Sequence, residues 1–129
     1  MKNINIYNLM VESKIQDNIK ITKKRFNSVL EDVKEDKDLF ENQFSVINED
    51  HNIDCSDVKK GFNTLAKNLK ESKALIEEAE KNKQGSNLKK AQELIKKAHK
   101  KLKETAELRE SNVNSFHSVV VIAEGLESK

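Results

Sequence analysis

The 129-residue sequence predicts an all-α fold, an elongated antiparallel three-helix bundle with coiled-coil-like packing, and three observations carry that prediction. There is no proline and there are only three glycines, so almost nothing interrupts a helix. Apolar residues recur at steps of three, four or seven, the spacing of one helix face. Charged residues make up 36% and apolar residues 36%, a balance that suits helices showing only a stripe to the core. The β-branched and aromatic alternation that strands need is missing.

The first helix is expected over about residues 7–48. Its apolar positions are Ile15, Ile19, Phe26, Val29, Leu30, Val33, Phe40, Phe44 and Ile47. The stripe loses a member at Glu35-Asp36-Lys37-Asp38, where a break would give four helices, although a continuous helix is the preferred reading. Residues 48–52 read as a loop. Asp54 then has the chemistry of an N-cap, with Ile53 and Val58 placed as a hydrophobic staple.

The second helix, about residues 55–83, carries Val58, Phe62, Leu65, Leu69, Ile76 and Ala79 at heptad spacing. Lys81 and Lys83 complement the negative end of its dipole, and Gly85 suits the left-handed residue that ends it. A short turn follows, so the second and third helices must run antiparallel. Ser86 or Asn87 should cap the third helix, about residues 87–124, whose stripe reads Leu88, Ala91, Ile95, Ala98, Leu102, Thr105, Val113, Phe116, Val120 and Ala123. Gly125 is expected to end it, with Leu126 folding back onto Val121. Nothing divides the chain, so residues 1–129 are expected to form a single domain.

Charge is unevenly spread around a net +2. Residues 1–30 are mainly basic, residues 31–50 mainly acidic, and residues 86–103 hold seven lysines (Lys89, Lys90, Lys96, Lys97, Lys100, Lys101, Lys103) against Glu93 alone. With the first and third helices parallel, the bundle should have one basic and one acidic end. The lysine cluster is the candidate surface for nucleic acid or another acidic partner. Two features weaken that reading: arginine occurs only twice, and no aromatic residue is interleaved to stack on a base.

Motifs for chemistry are missing in each case tested. Asp50, Asn52 and Asp54 match the first ligand positions of a calcium loop, but Cys55 replaces the turn glycine and Gly61 stands where the bidentate glutamate belongs. His51 and Cys55 alone are too few for a zinc site. His99, on a helix of a bundle, invites comparison with histidine phosphotransfer domains. No glycine follows it, and Ala98 rather than His99 belongs to the apolar stripe. Size and hairpin also compare with small type VII secretion substrates, whose Trp-x-Gly turn is absent from residues 82–87. Neither Glu-x-x-His pairs nor a glycine-rich phosphate loop occur. His117, beside Phe116, is expected to be partly buried or at an interface rather than catalytic. No catalytic residue, metal site or cofactor is therefore assigned, and the chain is expected not to be an enzyme.

The expected function is protein–protein interaction, as an adaptor, chaperone, inhibitor or assembly factor, with a second protein or a second copy of itself as partner. The candidate surface is the apolar end of the third helix: Phe116, Val119, Val120, Ile122 and Leu126. It is denser in apolar side chains than one neighbouring helix can cover. A segment with Ile4, Ile6, Leu9, Met10 and Val11 at the other terminus supports it. The single cysteine, the lack of a signal-peptide core and the lack of an 18-residue apolar run give a cytoplasmic expectation, with export by a route without a cleaved signal as the alternative, and no membrane partner. The excess of lysine, asparagine and isoleucine, all with AT-rich codons, suggests a bacterial or phage origin.

Overall fold

A computed structural model describes residues 6–44 and 53–127 of the chain. Three α-helices, α1 (Ile6–Phe44), α2 (Ser56–Lys81) and α3 (Leu88–Glu127), pack against one another, and no strand occurs among the described residues. Successive contacts give the directions. Gly61 meets Asn112, Glu71 meets Lys101 and Glu78 meets Lys90, so α2 and α3 run antiparallel. Thr22 meets His99 and Asp36 meets Arg109, so α1 and α3 run parallel. At 1.5 Å per residue, helices of 39, 26 and 40 residues are about 58, 39 and 60 Å long. Both α1 and α3 therefore outrun α2.

Alternating steps of four and three generate the core. In α1 the positions are Ile15, Ile19, Thr22, Phe26, Val29, Val33, Asp36 and Phe40; in α2 they are Val58, Phe62, Leu65, Leu69, Ser72, Ile76 and Ala79. In α3 the same alternation runs from Leu88 through Ala91, Ile95, Ala98, Leu102, Thr105, Arg109, Asn112, Phe116 and Val119 to Ala123. All of these are buried or half-buried. A period of 3.5 residues held over this length keeps one seam facing the partner helices.

Five of the buried or half-buried members are polar and were not visible as part of a hydrophobic stripe: Thr22, Ser72, Asn112 and the half-buried pair Asp36 and Arg109. The hydroxyls of Thr22, Ser72 and Thr105 each donate to the carbonyl four residues earlier, at 2.7, 2.8 and 2.6 Å, which removes the cost of burying them. Along each helix these hydroxyls fall between two apolar clusters. One holds Ile15, Ile19, Ala79, Leu88, Ala91 and Ile95 near the α2–α3 turn. The other, at the opposite end, is centred on Phe40, whose ring lies 5.7, 5.5 and 5.6 Å from those of Phe44, Phe62 and Phe116. Such aromatic pairs add about 0.5–1.5 kcal/mol each beyond the area they bury.

The four-helix alternative is corrected: α1 is unbroken through Asp36. The vacancy in its apolar stripe is filled by the Asp36 carboxylate, which takes two hydrogen bonds from Arg109, at 2.7 Å from Nε and 3.2 Å from Nη2. Asp32 adds a longer contact of 3.8 Å to Nη1. A residue that reads as a helix breaker is thus a core position, because its partner lies 73 residues away.

The helix ends are also partly corrected. Cys55, not Asp54, occupies the N-cap position of α2, its carbonyl accepting from the Lys59 N–H at 3.1 Å. Asp54 still holds the first turn, since its Oδ1 accepts from the Ser56 N–H at 2.9 Å. Ile53 and Val58 do share the aromatic cluster. Past Asn82, Gly85 has φ +77°, a left-handed conformation that favours glycine, and opens a 3-10 turn (Gly85–Asn87) leading into α3. Its N–H donates to Glu12 Oε1 at 3.2 Å, fastening the turn to α1. Gly125 does not end α3, which continues to Glu127. A glycine permits a left-handed end without requiring one, and nothing packs beside this glycine to impose a turn. The expected loop at residues 48–52, with Ile47, lies outside the described residues.

Candidate functional site

The expected interaction surface divides in two. Phe116, Val119 and Val120 are half-buried and packed on the aromatic cluster, because the unbroken α1 brings Phe40 and Phe44 alongside them. Past that cover, Ile122 is 53% and Leu126 42% exposed, with Val121 exposed beside them. At the far end of the bundle Ile6, Tyr7, Leu9 and Met10 stand exposed on the first turns of α1, before Glu12 reaches the α2–α3 turn.

The seven lysines of α3 fall on two faces. Lys90 and Lys101 turn toward α2 and approach Glu78 at 3.9 Å and Glu71 at 3.0 Å, and Lys97 shares their side of the helix. The contact raises the Lys101 pKa and lowers that of Glu71, in both cases chiefly through the hydrogen bond between them. Lys89, Lys96, Lys100 and Lys103 recur at steps of seven, four and three on another face, all exposed, with no carboxylate within ion-pair distance among the described residues.

His99 lies at the edge of this second face, half-buried, with Nε2 2.9 Å from Thr22 Oγ1. The threonine has one hydroxyl proton, which goes to the Asn18 carbonyl, so toward His99 it accepts and Nε2 carries a hydrogen. The histidine thereby serves as a tie between α1 and α3. His117 is exposed on the single chain, one position round the helix from the heptad seam, which removes partial burial within the chain and leaves the interface alternative.

Cys55 is buried, its thiol 3.6 Å from the Ile53 carbonyl, and desolvation pushes its pKa up, away from a reactive thiolate. The Asp54 pKa is lowered, first by its hydrogen bond from the Ser56 backbone. Asp50, His51 and Asn52 lie outside the described residues, and among the described residues no three His, Cys, Asp or Glu side chains are grouped to hold a metal ion. No described helix is long and apolar enough to cross a membrane.

One surface went unread in the sequence. On the outer side of the α1–α2 seam an open groove runs from Phe44 and Lys59, past Leu30, Phe62 and Leu69, to Phe26 and Ile76. Its central part encloses about 420 Å³. The helices α2 and α3 pack most closely together, and α1 lies more loosely against both, which leaves this seam open. The signal for it was present as lysines placed beside stripe positions on both helices: Lys34 and Lys37 on α1, Lys70 and Lys73 on α2.

No protein family matches the chain, and no match is found among curated proteins or solved structures.

Proposed function

We propose that this chain is a non-enzymatic protein–protein interaction protein, an adaptor, chaperone, inhibitor or assembly factor. It acts through apolar helix surface where α1 and α3 outrun α2. The supporting observation is the exposure of Ile122 and Leu126 in continuity with the half-buried Phe116, Val119 and Val120. A second copy or another protein laid across this end would cover what the chain's own helices leave bare.

The test is the double variant Ile122→Asp with Leu126→Asp. Both side chains face solvent, so unfolding stability should change by no more than about 0.5 kcal/mol. Mass in solution by light scattering, or retention of a protein held by the unaltered chain, should be lost. If both are unchanged, this end is not an interface.

The second reading, binding of nucleic acid or another polyanion, draws support from Lys89, Lys96, Lys100 and Lys103, which share an exposed face and make no ion pair among the described residues, with Glu93 as the acidic residue between Lys89 and Lys96. It expects retardation of a DNA or RNA duplex in a gel at low salt, falling steeply as salt rises. Retardation should be abolished by Lys96→Glu with Lys100→Glu and Lys103→Glu; equal retardation by that variant would reject the reading.

A further inference from the structure

The groove on the α1–α2 seam, a surface separate from the helix ends just discussed, has a composition that selects its occupant. Its central floor is apolar: Phe26, Leu30 and Val33 from α1, and Phe62, Ala66 and Leu69 from α2. Its walls carry Lys34 and Lys37 on one side and Lys70 and Lys73 on the other, and no carboxylate lines this central part. Lys37 stands 4.0 Å from Glu41, while Lys34, Lys70 and Lys73 have no ion-pair partner among the described residues. Four positive charges beside an apolar trough lower the energy of a ligand that is apolar on one side and negatively charged along both edges.

The shape narrows the class further. From Lys23 to Phe44 the lining of α1 spans about 30 Å at 1.5 Å per residue, with Glu41 at one end and Glu77 and Glu80 at the other, so the charge selection acts at the central part; the groove is straight because two antiparallel helices bound it. Floor residues spaced by three and four on each helix form the ridges between which a further helix lies. A helix seated there would set its apolar stripe on Phe26, Leu30 and Ala66, the floor residues that reach solvent, above the buried Val33, Phe62 and Leu69. The residues flanking that stripe would face Lys34 and Lys37 on one side and Lys70 and Lys73 on the other, as the flanking positions of a coiled coil face each other.

The geometry points to the α1–α2 groove as the docking site for an amphipathic helix of a partner protein, one with glutamate or aspartate along both edges of its apolar stripe. Docking converts the three-helix bundle into a four-helix one, with the lysines neutralised by the incoming carboxylates.

The test uses the full chain and two synthetic helical peptides of about 20 residues, enough to span the groove. Both carry leucine at the heptad core positions. One has glutamate and the other lysine at the flanking positions. Binding is followed by fluorescence anisotropy, and the site by backbone amide shifts. The acidic peptide should bind with Kd on the order of 10 μM and at least about tenfold more tightly than the basic one, a difference that shrinks with salt. Amide shifts should concentrate in residues 26–37 and 62–73. The variant Lys34→Glu with Lys70→Glu, both exposed positions that leave the core intact, should reverse the preference and favour the basic peptide.

Equal binding of the two peptides, an unchanged preference in the variant, or no binding of the acidic peptide at ten times the expected Kd would each overturn the proposal. So would decanoate binding to the same residues while neither peptide does, which would assign the groove to an anionic amphiphile. Loss of the interface at Ile122 and Leu126 would leave this result untouched, since those residues do not line the groove.

Discussion

Arg109→Ala should lower the unfolding free energy by about 2–3 kcal/mol, because it strands the Asp36 carboxylate in the seam between α1 and α3. The Asp36 side chain is only 15% exposed and receives both of its hydrogen bonds from this one guanidinium. Arg109 itself is about a third exposed, which holds the expected loss below that of a fully buried pair. The informative comparison is with the double variant Asp36→Leu, Arg109→Leu. Two leucines would restore the missing members of both apolar stripes with no charge to desolvate, so stability should recover to within about 1 kcal/mol of the parent or exceed it. Urea unfolding of the parent, Arg109→Ala and the double variant checks this. If the single and double variants lose equally, the pair contributes packing rather than charge compensation. The Arg109 pKa is raised, first by its hydrogen bond to Asp36, so the guanidinium stays charged across any practical pH range.

Gly61→Ala should be the other damaging substitution, against the usual expectation for a helix interior. Alanine favours a helix over glycine by about 1 kcal/mol at an unencumbered site. Here a Cβ on residue 61 would stand 2.5 Å from Asn112 Cγ and closer still to Oδ1. Asn112 is only 7% exposed, so its side chain has little room to swing aside, and Cγ moves only if χ1 changes. Net destabilisation of about 1–3 kcal/mol is expected, the range for overpacking a close helix contact. Asn112→Ala should be nearly neutral, since its amide has no hydrogen-bond partner among the described residues and its removal improves helix propensity. The double variant Gly61→Ala, Asn112→Ala should then be at least as stable as the parent. A double-mutant cycle with no coupling between the two positions would show that α2 and α3 do not meet as described.

These two sites mark where sequence reading succeeded and where it stopped. The helices, their antiparallel order and the left-handed Gly85 all follow from local signals: apolar spacing, the absence of proline, and a glycine after a lysine-rich helix end. A polar core residue gives no such signal. Thr22, Ser72, Asp36 and Asn112 each interrupt an apolar stripe, and whether the interruption marks a break or a buried polar contact depends on a residue in another helix. Continuing the alternation of three and four through the gaps would have recovered them, since the spacing is kept even where the hydrophobicity is not. The α1–α2 groove was hidden for a different reason. Most of its floor consists of residues correctly assigned to the core, and only the looser packing of α1 leaves Phe26 and Leu30 part-exposed beside the unassigned Ala66.

The parallel arrangement of α1 and α3 has a further effect. It gathers Lys14, Lys20, Lys23, Lys24 and the α3 lysines at one end, and Glu31, Asp32, Glu35, Asp38, Glu104, Glu107 and Glu110 toward the other. The net charge of +2 is then a sum that no approaching molecule experiences. At physiological ionic strength a field decays over about 8 Å, while the rod is about 60 Å long. Each end acts as an independent pole. In dilute salt the same molecule would orient as a dipole, turning its lysine end to a polyanion and its carboxylate end to the lysine end of its neighbour.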